Sequence, residues 1–165
     1  MEPIEMKRLI EIHLEAEKAG DTAGAVSVYV DDVEHDVVGS PTGPVHGKGA
    51  ARGFYDHLVQ EMNTEEMRPT HEYYGDDFCV VEHIWTGTVP GNFFDIPGHG
   101  RRISFRMLHL WEFRDGKMSR ENVWLDGGSV IAQLAASSGW AGSGVPQSDE
   151  RASAPPHLSN QEEVR

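Results

Sequence analysis

Residues 101–126 read RRISFRMLHLWEFRDGKMSRENVWLD. The spacing predicts a β-hairpin whose turn is Arg114-Asp115-Gly116-Lys117, since Asp-Gly between alternating apolar residues is the strongest short-range hairpin signal. Ahead of the turn, Phe105, Met107, His109, Trp111 and Phe113 recur at period two and form one face. Ser104, Arg106, Leu108, Leu110, Glu112 and Arg114 form the other, mixed face. The first face is the buried one. His109 therefore sits as a titratable ring inside an apolar stripe. It is either a hydrogen-bonded core histidine or the acid/base group of a pocket, and the strand by itself favours the core.

Upstream of the hairpin, MRPTHEYYG (67–75) and DDFCVVEHIWTGTV (76–89) read as two more strands, and Cys79, Val81, His83 and Trp85 share a face of the second. The connection VPGNFFDIPGHG (89–100) is rich in Gly and Pro. Its Phe93, Phe94 and Ile96 suit a flap over a cavity or an interface. Further upstream the period changes to that of helices. Residues 4–18 carry Leu9, Ile10, His13, Leu14 and Ala16 or Glu17 near one stripe, with Gly20 as a stop. Asp21 caps a second helix, 22–30. VEHDVVG (33–39) is a short strand and 40–44 a loop. A third helix, 48–62, places Phe54, Leu58 and Met62 on one face. A short helix, 128–136, ends the domain. Residues 137–165 are rich in Ser, Gly, Pro and Glu without periodicity and read as a disordered tail in which Trp140 could dock. The expected architecture is one α+β domain, residues 1–136, with a curved antiparallel sheet and helices on its concave face.

The totals narrow the function. The 165 residues carry a net charge of -13, which argues against nucleic acid and anionic membranes as partners. No apolar run approaches the roughly 20 residues of a membrane span, and the charged N-terminus lacks a signal-peptide core, so a cytoplasmic protein is expected. A single cysteine, Cys79, excludes an internal disulfide or a Cys-based metal cluster. No phosphate loop, dinucleotide fingerprint, HExxH or GxSxG occurs.

The order of elements, with these residues, resembles the nuclear transport factor 2-like superfamily of cone-shaped α+β domains. GDTAGAVSVYVDDVEHDVVGSPTGPVHGKGAARGFY (20–55) is similar to the ketosteroid isomerase family, whose general base stands just ahead of a Val-Gly. Matched on Gly39, that base falls on Asp36; matched on Val33-Glu34, it falls on His35; the Gly39 register is preferred. NFFDIPGHGRRISFRMLHLWEFRDGKM (92–118) resembles the SnoaL-like polyketide cyclases, in which a strand histidine before the Asp-Gly-Lys turn belongs to the active site. It falls on His109, as does the oxyanion-hole acid of the isomerases. The isomerases' tyrosine position falls on His13. The chain departs from both patterns: the cyclases' last-strand aspartate position holds Val123, and the tyrosine is absent.

The resemblance implies a cofactor-free cyclase or isomerase acting on a hydrophobic polyketide- or steroid-like carbonyl compound. Asp36 is then the base, His109 the acid or oxyanion donor and His13 an assistant, with Trp85, Met107, Trp111, His83, Phe54 and Trp124 shaping the pocket. A carboxylate among apolar rings gains proton affinity by desolvation, and a donor placed opposite it stabilises an enolate. A metal set of His13, His83, His109 and Asp36 is the alternative; no pair has tight ligand spacing on one element, so the reading is metal-free. The competing class is a non-catalytic small-ligand or dimerisation module of the same fold. A dehydratase or epoxide hydrolase in the same pocket is a further variant. Val80, Ile84, Leu108 and Leu110 on the outer sheet face lead to the expectation of a homodimer.

Overall fold

The computed structural model describes residues 1–136; the expected tail and Trp140 lie outside the described residues. The hairpin forms as its sequence requires. Strands β7 (Arg101–Arg114) and β8 (Lys117–Leu125) are closed by Asp115 and Gly116, with φ of 52° and 74°. Two successive left-handed residues give the turn whose twist matches the strands. Phe105, His109, Trp111 and Phe113 are buried on one face, as the alternation demands.

The other elements enclose this hairpin. Helix α1 (Pro3–Lys18) starts with proline in its first turn and buries Met6, Ile10 and His13 on one stripe. Asp21 caps α2 (Thr22–Ala25) by accepting from Gly24 N, and a single 3₁₀ turn follows over Val26–Val28. The helix expected to reach residue 30 stops here because Val26, Val28, Tyr29 and Val30 favour extended backbone. Strand β1 is correspondingly longer, Tyr29–Val37, and β2 (Val45–His46) pairs with it. Helix α3 (Lys48–Glu61) buries Ala51 and Tyr55. Strands β3 (Asn63–Tyr74) and β4 (Phe78–Val89) follow, then a two-stranded flap, β5 (Asn92–Phe93) and β6 (Ile96–Pro97). Helix α4 (Gly127–Ala135) is capped by Asp126, which accepts from Ser129 N.

The six-stranded sheet runs β2-β1-β8-β7-β4-β3. Pro69 lies in the edge strand β3, where proline is tolerated, and the pairing with β4 shifts register between Pro69 and His71. The sheet is mixed: β1 runs parallel to β8, and the other pairs are antiparallel. A parallel neighbour is possible because the first and last strands are joined through the whole intervening chain. Two apolar clusters fill the concave side. One lies under α1 and α3 and includes Met6, Ile10, Tyr55, Val81 and Trp111. The other lies under α4 and the flap and includes Trp85, Phe93, Phe105, Val130 and Leu134. Among the described residues no helix is long and apolar enough to cross a membrane.

Candidate active site

A cavity of about 120 Å³ opens between the concave sheet face, α3 and the flap. Its wall is largely apolar: Phe54, Leu58, Met62, Met67, Trp85, Phe93, Phe105, Met107, Val123 and Leu125. At the mouth, Phe94 remains 40% exposed on the flap tip. Five titratable residues also line the cavity and are buried or nearly so: Glu17, His35, Tyr55, His109 and Glu121.

Glu121 is the hub of this polar group. It is 1% exposed, and one carboxylate oxygen accepts from the hydroxyls of Tyr29 and of Tyr55, the latter at 3.1 Å. The same oxygen lies 3.4 Å from His13 Nε2, while His13 Nδ1 donates to the carbonyl of Ala25 at 2.9 Å. Burial disfavours charge on both partners, but each overcomes it for the other. Burial lowers His13, yet the Glu121 carboxylate outweighs it and raises the imidazole to about 9. Burial raises Glu121, yet the His13 imidazolium holds it well below the usual carboxylate range. The pair is therefore a buried ion pair. His35 Nε2 meets Tyr55 Oη at 3.1 Å, and burial lowers His35 toward neutrality.

Glu17 differs from Glu121. Its side chain is 10% exposed and makes no hydrogen bond among the described residues; His13 Nε2 is 3.8 Å away. Burial raises its carboxyl to about 7, against the pull of His13. His109 lies on the other side of Glu121, with Nε2 3.7 Å from Oε1. Its ring stacks on Trp111 at 4.5 Å and 3°, and its Nδ1 meets His83 Nδ1 at 3.2 Å. Burial pushes His109 down to about 3, so it is a neutral imidazole.

These positions separate the residues predicted from sequence. His109 lines the cavity, and so do Trp85, Met107 and Phe54. His13 lies directly behind Glu121 at 0% exposure. Trp111 is a fully buried backing for His109, and His83 stands behind His109 and faces a different crevice. Asp36 and Trp124 are corrected: both project from the outer sheet face, where Asn122 Nδ2 donates to Asp36 and Trp124 Nε1 donates to Asn122 Oδ1. The cause is strand periodicity. Val33, His35 and Val37 are buried, so Asp36 points away; Val123 and Leu125 line the cavity, so Trp124 points away. The alternative register, which places the isomerase-like position on His35, is the one that reaches the cavity.

Two carboxylates of the site, and the Tyr29 and Tyr55 hydroxyls that donate to one of them, were not among the residues expected from sequence. Glu17 follows His13 by four on the inward stripe of α1, and that spacing was a usable signal. Glu121 was masked. Uninterrupted pairing from the turn would set Arg120 opposite Trp111, but the register shifts beyond Phe113–Met118, and Trp111 pairs with Glu121. One extra residue reverses which side chains face inward. Among the described residues no three His, Cys, Asp or Glu side chains are grouped to hold a metal ion.

The chain resembles solved structures at low identity and high coverage. A candidate SnoaL-like polyketide cyclase from Jannaschia sp. CCS1 is 20% identical, with 82% of this chain and 96% of that one covered and a TM-score of 0.67. TsrD from Streptomyces laurentii is 18% identical, with coverage of 82% and 98% and a TM-score of 0.71. An epoxide hydrolase from M. tuberculosis, of the LEH-like kind, is 15% identical, with coverage of 79% and 90% and a TM-score of 0.64. At these identities the likeness shows a shared fold. No curated protein sequence matches the chain. The SnoaL-like domain matches residues 10–121, which hold α1 from Ile10 onward, the whole of β1 and β7 and the hub carboxylate Glu121; the chain belongs to the SnoaL-like domain family.

Proposed function

We propose that the protein is a cofactor-free acid/base enzyme, a cyclase or isomerase of a small hydrophobic carbonyl compound. The supporting observation is the meeting of Glu17, His35, Tyr55, His109 and Glu121 in the wall of a largely apolar cavity. Glu17 takes the role first assigned to Asp36. A carboxyl brought to about 7 by burial is half ionised at neutral pH, which is where a general base works best. It removes a proton from carbon beside the carbonyl. His109, neutral and able to donate from Nε2, holds the developing enolate oxygen. The His13–Glu121 ion pair and the two tyrosines fix the local field, with their positions held by hydrogen bonds.

The cavity volume bounds the ligand. A cavity of roughly 150 Å³ holds a benzene-sized molecule, so the 120 Å³ here admits about one ring. A larger skeleton would extend through the mouth beside Phe94. The same carboxyl could serve elimination or hydrolysis, and an epoxide hydrolase is among the structural relatives. A second reading is a binder without turnover. It is favoured by the hydrogen bonds Glu121 already receives, which resemble those of a satisfied core group. The outer face, with Val80, Ile84, Leu108, Leu110 and a 54% exposed Trp124, supports self-association of the chain through its sheet.

The test is loss of the α-proton signals of cyclohexanone and decalone in D₂O, followed by NMR. The expected result is protein-dependent exchange that Glu17→Gln slows by about 10²- to 10⁴-fold. Ketone binding with no exchange supports the binder; no effect of the protein on either ketone removes both readings.

A further inference from the structure

We propose that His83 and His109 form a proton relay joining the carboxylate end of the cavity to a separate crevice between α1 and β3. The relay would serve the acid/base reading above, but its existence can be measured without any substrate.

The second crevice has a volume of about 300 Å³ and is lined by Lys7, Leu14, Glu72, Tyr74 and His83, among others. Exposed Glu11, Glu15 and Glu66 at its rim open it to solvent. His83 and His109 are 2% and 3% exposed, and their Nδ1 atoms lie 3.2 Å apart with the rings nearly perpendicular, at 86°. Beyond this contact, His109 Nε2 faces Glu121 and the cavity. His83 has no other hydrogen bond among the described residues, and its ring lines the crevice. The order is therefore Glu121, His109, His83, crevice.

Both rings are neutral. Burial brings His83 to about 4 and His109 to about 3, with only partial opposition from nearby carboxylates. A hydrogen bond between two Nδ1 atoms needs one donor and one acceptor, so one ring is the Nδ1–H tautomer and the other the Nε2–H tautomer. In one state His109 carries its proton on Nδ1 and His83 on Nε2. In the other His109 carries it on Nε2 and His83 on Nδ1. Passing from the first to the second releases the His83 Nε2 proton to the crevice, shifts the His109 Nδ1 proton to His83, and takes a proton from the cavity onto His109 Nε2. One proton crosses, none is created, and neither ring becomes charged at the end. A histidine kept only for packing would have no need of this arrangement, since an apolar residue between Val81 and Trp85 would avoid burying two ring nitrogens.

The experiment is long-range ¹H–¹⁵N NMR of the histidine rings in the full chain at pH 7, with solvent exchange of the His109 ring proton followed in wild type, His83→Phe and His83→Gln. The relay requires opposite tautomers in the wild-type pair. It also requires exchange at least tenfold slower in both variants, although Gln can keep a hydrogen bond to His109. Identical tautomers in wild type would overturn it even if neither variant folds. Wild-type exchange in folded His83→Gln would overturn it as well, and would leave His83 as a structural neighbour. The ketone assay is independent: inactivity there with a positive exchange result would remove the proposed function and leave the relay.

Discussion

Asp36 and Glu121 lie on adjacent strands, one register step apart, and live in opposite environments. His35 pairs with Glu121, and Asp36 pairs with Asn122. Asp36 stands half-buried on the outer face with one amide partner. Glu121 is sealed inside with two phenols and an imidazolium. The two carboxylates differ in the direction of a pleat, and that direction decides which can meet a ligand. Charge on the inner face is costly and must be partnered; charge on the outer face is solvated and nearly free to change.

Glu121→Gln should break this contrast most strongly. It leaves the His13 imidazolium buried without its carboxylate, and unfolding by urea should show a loss of about 3–5 kcal/mol. Adding His13→Gln removes the stranded charge, so the double variant should recover part of that loss; simple additivity would show that the two are not an ion pair. Next comes pH. Because His13 is raised to about 9, its contribution is fully present below the ordinary histidine value of about 6.5 and is lost as pH climbs through 9. The shift corresponds to about 3 kcal/mol, and Glu121→Gln should lack this alkaline decline. On the acid side, His83 and His109 are depressed to about 4 and 3, so stability present above about 6.5 is lost as pH falls toward those values. Chemical denaturation across pH 4 to 10 should therefore give a maximum near neutrality.

Self-association probes the outer face at a lower energy scale. Leu110→Glu, set beside Asn122 and Val80, should convert a dimer at micromolar concentration to a monomer in sedimentation velocity. A wild-type monomer would remove that expectation. Asp36→Asn should have the smallest effect, within about 0.5 kcal/mol in stability and with ketone exchange unchanged. A large loss of exchange would return the base to Asp36.

Much of the architecture was legible because it is local. The Asp-Gly turn, the Phe105–Phe113 stripe and the cap at Asp21 depend on a few neighbouring residues. The parallel pairing of β1 with β8 was not legible, since nothing short-range couples residues 29–37 to 117–125. The site was legible in part. His109 follows from the stripe. The Val33, His35, Val37 alternation already pointed His35 inward, against the register set on Gly39 that chose Asp36. Glu17 was available from its spacing to His13. Glu121 was hidden by the irregular register beyond Phe113–Met118, which a sequence pattern does not reveal.

The central claim is that burial has made Glu17, not Asp36, the working carboxyl of the cavity. Its most direct test is carboxyl ¹³C NMR of Glu17 across pH, with and without cyclohexanone. The account predicts a midpoint near 7 that moves when the ketone binds. A midpoint near 4.5, the ordinary value, unmoved by the ketone, would contradict it.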